Sequence, residues 1–366
     1  MKNHMQDINL RLDKKGAIFL YFMAILGGKC FGQAGSLDVS FGSGGKVATT
    51  LTSSSDYAYS VAIQTDEKLV VGGRVNVGSG NQRYDFGLTR YRTNGLLDSS
   101  FGINGKVTTD FFNSDDICSA VAMQSDQKII ATGYADNTIN AIPHVIAVTR
   151  YNVDGVLDNT FGTNGKVIIN YGYGENFGKA ISILPDGKIL IAGTAIAAPN
   201  VTAEDFALIK LKINGDLDSS FGNNGKLLID FARRGDNLNS MTIQFDGKII
   251  LGGYTVGSSN TKDFCLVRVN INGSIDSTFG NNGRTITDFQ NTQDICNSIS
   301  LQSDGKIVAA GYTNDAFGYT NFSLCRYLPN GNLDSSFGTN GKRTTFTNAD
   351  YTQNNAAVIQ TDDKII

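Results

Sequence analysis

Apolar residues along this chain come in short runs divided by polar turns, and the runs suit strands rather than helices. After Ser60 four such runs follow one another: Val61-Ala62-Ile63-Gln64, Lys68-Leu69-Val70-Val71-Gly72-Gly73, Phe86-Gly87-Leu88-Thr89-Arg90-Tyr91 and Lys106-Val107-Thr108-Thr109-Asp110. Their lengths and β-branched and aromatic content predict strands, and no run keeps a helical period across ten or so residues. Turn chemistry separates them. The first two runs are joined at Thr65-Asp66-Glu67, which becomes Asp186-Gly187, Asp246-Gly247 and Asp304-Gly305 later in the chain, a hairpin signal. After the third run stand Asn94-Gly95, Asp154-Gly155, Asn214-Gly215, Asn272-Gly273 and Asn330-Gly331, dipeptides suited to positive φ.

The pattern repeats. The phrase Asp-x-x-Phe-Gly-x-x-Gly-Lys/Arg returns with its Phe at Phe41, Phe101, Phe161, Phe221, Phe279 and Phe337, spaced 60, 60, 60, 58 and 58 residues apart. A second phrase, Asp-x-Lys opening an apolar run, returns at Asp66, Asp126, Asp186, Asp246, Asp304 and Asp362 in the same phase. A fixed period of this size marks units that bury their faces only by stacking on neighbours. Four short antiparallel strands per unit predict an all-β fold, a β-propeller of about five complete blades and an incomplete sixth. The first run is rich in Ser and Ala, as in Ser60-Val61-Ala62 and Ala120-Val121-Ala122, so it is placed innermost, where blades crowd. The Lys-Val-Thr-Thr run is placed outermost. In that register Lys46 to Leu51 is expected to complete the last blade from outside, and the phase at Ile366 predicts further repeats beyond it.

The phrases Leu97-Asp98-Ser99-Ser100-Phe101-Gly102 and Ser303-Asp304-Gly305-Lys306-Ile307-Val308 resemble the delta-60 repeat of secreted bacterial proteins. That resemblance covers nearly all of the chain after residue 34. It implies a propeller and export, and it implies no particular reaction. A looser similarity to kelch repeats lies in glycine pairs such as Gly72-Gly73 and Gly252-Gly253, but kelch units carry an outer-strand Trp and this chain has none.

The first 34 residues stand apart from the repeats. Lys14 and Lys15 precede an apolar run from Gly16 to Leu26, and small residues lead to Gly32-Gln33-Ala34. This is the order of a secretory signal, with residues 35–366 as the repeat domain. The run falls short of the roughly 20 apolar residues that cross a bilayer, so no membrane span is expected. Export predicts a secreted or cell-surface protein whose partner is an extracellular protein or glycan. Removing the segment takes away five basic and two acidic residues and moves the formal charge from −3 to −6. Such a surface offers nucleic acid no basic field. The four remaining cysteines, Cys118, Cys265, Cys296 and Cys325, are expected to be buried thiols.

Candidate chemistry is sparse. His144 is the single histidine after residue 34, which leaves no imidazole cluster for zinc and no Ser-His-Asp relay in evidence. No cofactor is expected. Calcium is the alternative for the Asp98-to-Asn104 type of loop, against a structural role in which Asp and Asn hold turns and Phe fills the space between blades. Lys46, Lys106, Lys166, Lys226, Arg284 and Lys342 follow the turn glycine and are expected to be solvated strand ends. Arg90, Arg150, Arg268 and Arg326 recur as though paired with a repeated Asp.

Asp56, Asp116, Asn176, Asp236 and Asp294 share one repeat position, just before the innermost strand. They are expected either to cap turns or to line the mouth of a central channel. The loops between second and third strands (Arg74 to Asp85, Tyr134 to Val145, Thr194 to Asp205, Tyr254 to Asp263, Tyr312 to Asn321) share almost no phrase and fall on the same face. That face is the candidate binding surface. The expected function is therefore a non-catalytic scaffold for extracellular binding, with no catalytic residue assigned. The alternative is a hydrolase or lyase acting on extracellular polysaccharide through acids on this face.

Overall fold

The computed structural model describes residues 36–366 apart from 53–54, 79–82, 138–142, 197–202, 232–234, 258, 290, 316 and 347–355. The expected export signal and parts of the variable loops lie outside the described residues. Among the described residues, twenty strands form five sheets. The first holds β1 (Tyr57–Ile63), β2 (Leu69–Asn76), β3 (Tyr84–Tyr91) and β4 (Lys106–Thr109). The second holds β5 (Asp116–Met123), β6 (Ile129–Asp136), β7 (His144–Tyr151) and β8 (Lys166–Ile169), and the third β9 (Tyr173–Ile183), β10 (Ile189–Ile196), β11 (Asp205–Leu211) and β12 (Lys226–Ile229). In the fourth are β13 (Asp236–Ile243), β14 (Ile249–Val256), β15 (Lys262–Val269) and β16 (Arg284–Thr287). The fifth contains β17 (Asp294–Leu301), β18 (Ile307–Asn314), β19 (Thr320–Tyr327) and β20 (Lys342–Thr345).

Every sheet is an antiparallel meander in chain order. Consecutive first strands (β1, β5, β9, β13, β17) touch one another, so they form the inner edge, as their small side chains predict. The fold is an all-β propeller arrangement of four-stranded blades, with no helix among the described residues. Second strands sit between blades and are covered on both faces; all eight residues of β10 are buried. The two-residue difference between repeats of 60 and 58 falls in the variable loops. The paired residues Ala195 and Asp205 lie ten positions apart, and Thr255 and Asp263 lie eight apart.

Each inner strand carries a β-bulge, at Tyr59, Ser119, Lys179, Asn239 and Asn297, and β9 has a second irregularity between Tyr173 and Asn176. The bulge explains the repeated glycine opposite it. A Cβ on Gly73, Gly133, Gly193, Gly253 or Gly311 would lie 1.8–2.0 Å from the carbonyl oxygen of Tyr57, Ile117, Phe177, Asn237 or Ile295, closer than any side chain permits.

Blade stacking buries what one blade leaves open. Val121 on β5 and Ile299 on β17 are 7% and 5% exposed, whereas their counterpart Val61 on β1 is 40% exposed. Covering such a side chain is worth about 1.5–3 kcal/mol. The segment from Leu37 to Leu51 lies against the first blade, where Gly42 N–H donates to Asn94 O at 2.9 Å, as Gly102 N–H donates to Asp154 O at 2.7 Å one blade later. Among the described residues it pairs in no ladder with residues 356–366, the start of the incomplete blade whose outer strand it was expected to supply. Residues 356–366 begin a further hairpin, with Val358 and Ile366 exchanging hydrogen bonds. It docks on the fifth blade, where Ser300 Oγ donates to Ala357 O at 2.9 Å.

Candidate functional site

The two ends of each blade treat buried aspartate differently. At the end carrying the repeated turns, Arg90 Nε donates to Asp98 Oδ2 at 2.9 Å and Arg90 Nη2 to Ser100 Oγ at 3.0 Å. Its Nη1 reaches Val153 O in the next blade, and the guanidinium stacks over Phe101, 4.7 Å from the ring centre. Arg150, Asp158, Thr160 and Phe161 repeat the clamp, reaching Ile213 O. So do Arg268, Asp276, Thr278 and Phe279, reaching Pro329 O at 2.6 Å. A lysine adds a second cation, Lys68 to Asp98 and Lys128 to Asp158. The recurrent arginines thus do pair with a recurrent Asp.

Burial alone would raise the Asp98 carboxyl. Hydrogen bonds from the Ser100 side chain and backbone, the Arg90 charge and the Lys68 ammonium outweigh it and hold the group well below the usual carboxylate range. Asp218 is held at about 2, chiefly by the Ser220 hydroxyl and despite burial, with the Lys188 ammonium adding to the effect. The loop suggested for calcium therefore has its acid filled by the chain's own cations, and Asn104 takes positive φ (52°) as a turn residue.

Lys46 is exposed, but the other five cations after the turn glycine correct the expectation of solvated strand ends. Lys106 Nζ donates to Thr50 O at 2.6 Å, Lys166 to Asp110 O at 2.5 Å, Lys226 to Asn170 O at 2.6 Å and Lys342 to Asp288 O at 2.5 Å. Arg284 Nη2 reaches Asp230 O at 3.2 Å. Lys166, Lys226, Arg284 and Lys342 tie their outer strands to the connection leaving the preceding blade, and Lys106 ties β4 to the segment before β1.

At the variable-loop end, Asp116, Asn176, Asp236 and Asp294 are sealed inside the seams between blades, and Asp56 is half-buried. Each caps the connection that enters its blade. Phe111 N–H donates to Asp116 Oδ2, Phe231 N–H to Asp236 Oδ2 and Phe289 N–H to Asp294 Oδ2, all at 2.7 Å. Leu51 N–H does so to Asp56 at 2.8 Å and Tyr171 N–H to Asn176 at 3.3 Å. Their companions were missed by sequence reasoning. One carboxylate oxygen each from Asp85, Asp110 and Asp116 lies within 4.8 Å of the others, and the same holds for Asp205, Asp230 and Asp236 and for Asp263, Asp288 and Asp294. The repeat spacing of Asp85, Asp205 and Asp263, and of Asp110, Asp230 and Asp288, was the available signal. Burial first, then the charges of Asp110 and Asp85, push Asp116 up to about 8 against the lowering Phe111 bond. Burial, Asp230 and Asp236 push Asp205 up to about 6.

Around these seams the loop-end side chains vary from blade to blade. Arg74 lies between Tyr57 and Tyr84, 4.4 and 4.2 Å from their ring centres. At the seam between the second and third blades Tyr134, His144 and Phe177 meet with ring centres 4.8–5.0 Å apart, and His144 Nδ1 is 3.7 Å from Glu175 Oε1. Lys179 at the third bulge bonds Asn237 Oδ1, and Asn237 Nδ2 bonds Glu204 Oε2. Burial lowers Lys179 to about 8 against the attraction of Glu204. The four cysteines are buried and unbridged, and burial pushes Cys118 and Cys296 up to about 12, which makes them poor nucleophiles.

Five four-stranded blades locked by a repeated clamp, with variable side chains at one end, define a β-propeller built from tandem repeats. A family model described as a domain of unknown function (DUF5122) beta-propeller matches residues 64–101, 124–161, 184–221, 244–279 and 302–337, together just over half of the sequence, and the chain belongs to that family. No curated protein matches. Among solved structures, it is similar to a thermostable family-43 glycoside hydrolase (12% identity, 80% of this chain and 95% of that chain, TM-score 0.42). It is also similar to a catalytically inactive virginiamycin B lyase from Staphylococcus aureus with quinupristin (10% identity, 78% and 86%, TM-score 0.36). A third is a glucose dehydrogenase (10% identity, 71% and 94%, TM-score 0.38).

Proposed function

We propose that the chain is an exported, non-catalytic recognition scaffold that offers the variable-loop end of its blades to an extracellular glycan. One observation carries this reading: side-chain chemistry changes from blade to blade at that end, while the other end repeats one clamp with little change. A rigid frame with varied residues at one end is a common design for a binding surface. The partly exposed Tyr134, His144 and Phe177 rings, flanked by Glu175, Lys179 and Asn237, combine flat apolar faces with amide and charged groups that suit a sugar ring. The sixty-residue period and the basic, apolar, small-residue order of residues 1–34 support an exported delta-60-type protein.

The full chain, screened on a glycan array, should retain a sugar unchanged, and Tyr134→Ala or Phe177→Ala should weaken retention at least tenfold in a folded protein. Product release from a polysaccharide panel would overturn the non-catalytic part. Unchanged retention in both variants would move the site elsewhere. Edman sequencing of protein recovered from the culture medium should begin near residue 35.

A further inference from the structure

We propose that Asp85, Asp110 and Asp116 hold a calcium ion in the seam between the first two blades. This does not depend on the recognition reading. The spacing fits: calcium takes oxygen ligands at about 2.3–2.6 Å, so two ligands of one ion lie no more than about 5 Å apart, and these oxygens lie within 4.8 Å of one another. The donors are all oxygen, as a hard cation prefers.

The second argument comes from Asp116 itself. It is fully buried; Oδ2 accepts the Phe111 N–H, and Oδ1 accepts no hydrogen bond. The equivalent residue one blade later, Asn176, shows what that place requires. Its Oδ1 makes the same cap, and its Nδ2 donates to the carbonyls of His144, Tyr173 and Gly174 at 3.1, 3.3 and 3.0 Å. The bare oxygen of Asp116 therefore stands where its counterpart supplies positive hydrogens to three acceptors. A cation supplies what the carboxylate cannot.

The third argument is that the acids change together. Where Asp116 becomes Asn176, Asp85 becomes Val145 and Asp110 becomes Asn170. Capping explains only the first exchange, since Asn176 caps as well. Loss of an ion explains all three. Asp56 points the same way: Thr50 stands at the Asp110 position before it, and both its oxygens are filled by the chain, from Leu51, Thr52 and Asn76. The cations near the first cluster do not replace an ion. Arg83 lies 3.5 Å from Asp85 Oδ1, and Lys166 is spent on the Asp110 carbonyl.

The test is isothermal titration of the full, EDTA-stripped chain with calcium chloride, alongside thermal unfolding. One ion should bind in the range of about 10⁻⁴–10⁻³ M common for extracellular modules, with a calcium-dependent rise in the unfolding midpoint. Asp110→Asn, at a partly exposed position, should abolish that binding, and Asp85→Asn serves if that variant fails to fold. No heat and no midpoint shift at about 10 mM calcium, well above that range, or an unchanged stoichiometry in both variants, would overturn the proposal. Binding of magnesium with calcium excluded would overturn the choice of ion.

Discussion

Aspartate is buried at both ends of most blades, Asn176 replacing it at the loop end of the third, yet the two ends balance the charge in different ways. Asp158 at the repeated-turn end has Arg150 and Lys128 within 2.9 Å. Asp116 at the loop end has two other carboxylates as its near charged company. The first arrangement is complete within the chain. A buried charge is tolerated when paired and costs several kcal/mol when its partner is removed, so the clamp end should respond to the chain's own mutations and the loop end to what is dissolved around it.

The largest effect is expected where the clamp rests on the core. Phe161→Ala removes a fully buried ring that guanidinium and turn both contact, and should lower stability by about 3–5 kcal/mol, read from the urea midpoint at unchanged slope. Arg150→Ala leaves Asp158 with Lys128 alone and should cost about 3 kcal/mol, the low end of the buried-pair range. Most of that should return in Arg150→Met/Asp158→Leu. A loss as large in the double variant would mean that the pair carries more than mutual compensation.

Asn176→Asp comes next. It keeps the cap but turns a donor into an acceptor against three carbonyls, at about 1–3 kcal/mol by thermal unfolding without divalent ions. A neutral result would erase the distinction between the seams. Acid should separate the ends more gently. Asp98, Asp158 and Asp276 have folded values below the unfolded value of about 3.9. Their contribution is thus present above about pH 4 and drains away as pH falls toward the folded values. Arg150→Met/Asp158→Leu should flatten that fall in a pH series of urea midpoints, and an unchanged slope would remove the clamp as its source.

How much of this was legible in the sequence follows from where each partner lies. The strands were readable because alternation and turn dipeptides act over a few residues, and repetition multiplied a weak signal. The capping position at Asp116 was readable because its partner Phe111 is five residues away. Asp85 and Asp110 escaped because they come from the preceding blade, and only the stacking angle brings them to Asp116. The reach of Lys166 to Asp110 O was misread for the same reason: a side chain on a strand end looks solvated until the neighbouring blade is in place. Gly73 was seen only as part of a glycine pair; its cause, the bulge at Tyr59, appears once the register is known.

The unit that repeats in sequence and the unit that folds as a sheet are out of step, since the phrase around Phe101 that opens a repeat joins β3 to β4 inside one sheet. Any in-frame gain or loss of one period by recombination would therefore recreate junctions the chain already contains. Such a gene can change its number of copies without inventing a new joint, and selection acts afterwards on how many copies the assembly accommodates.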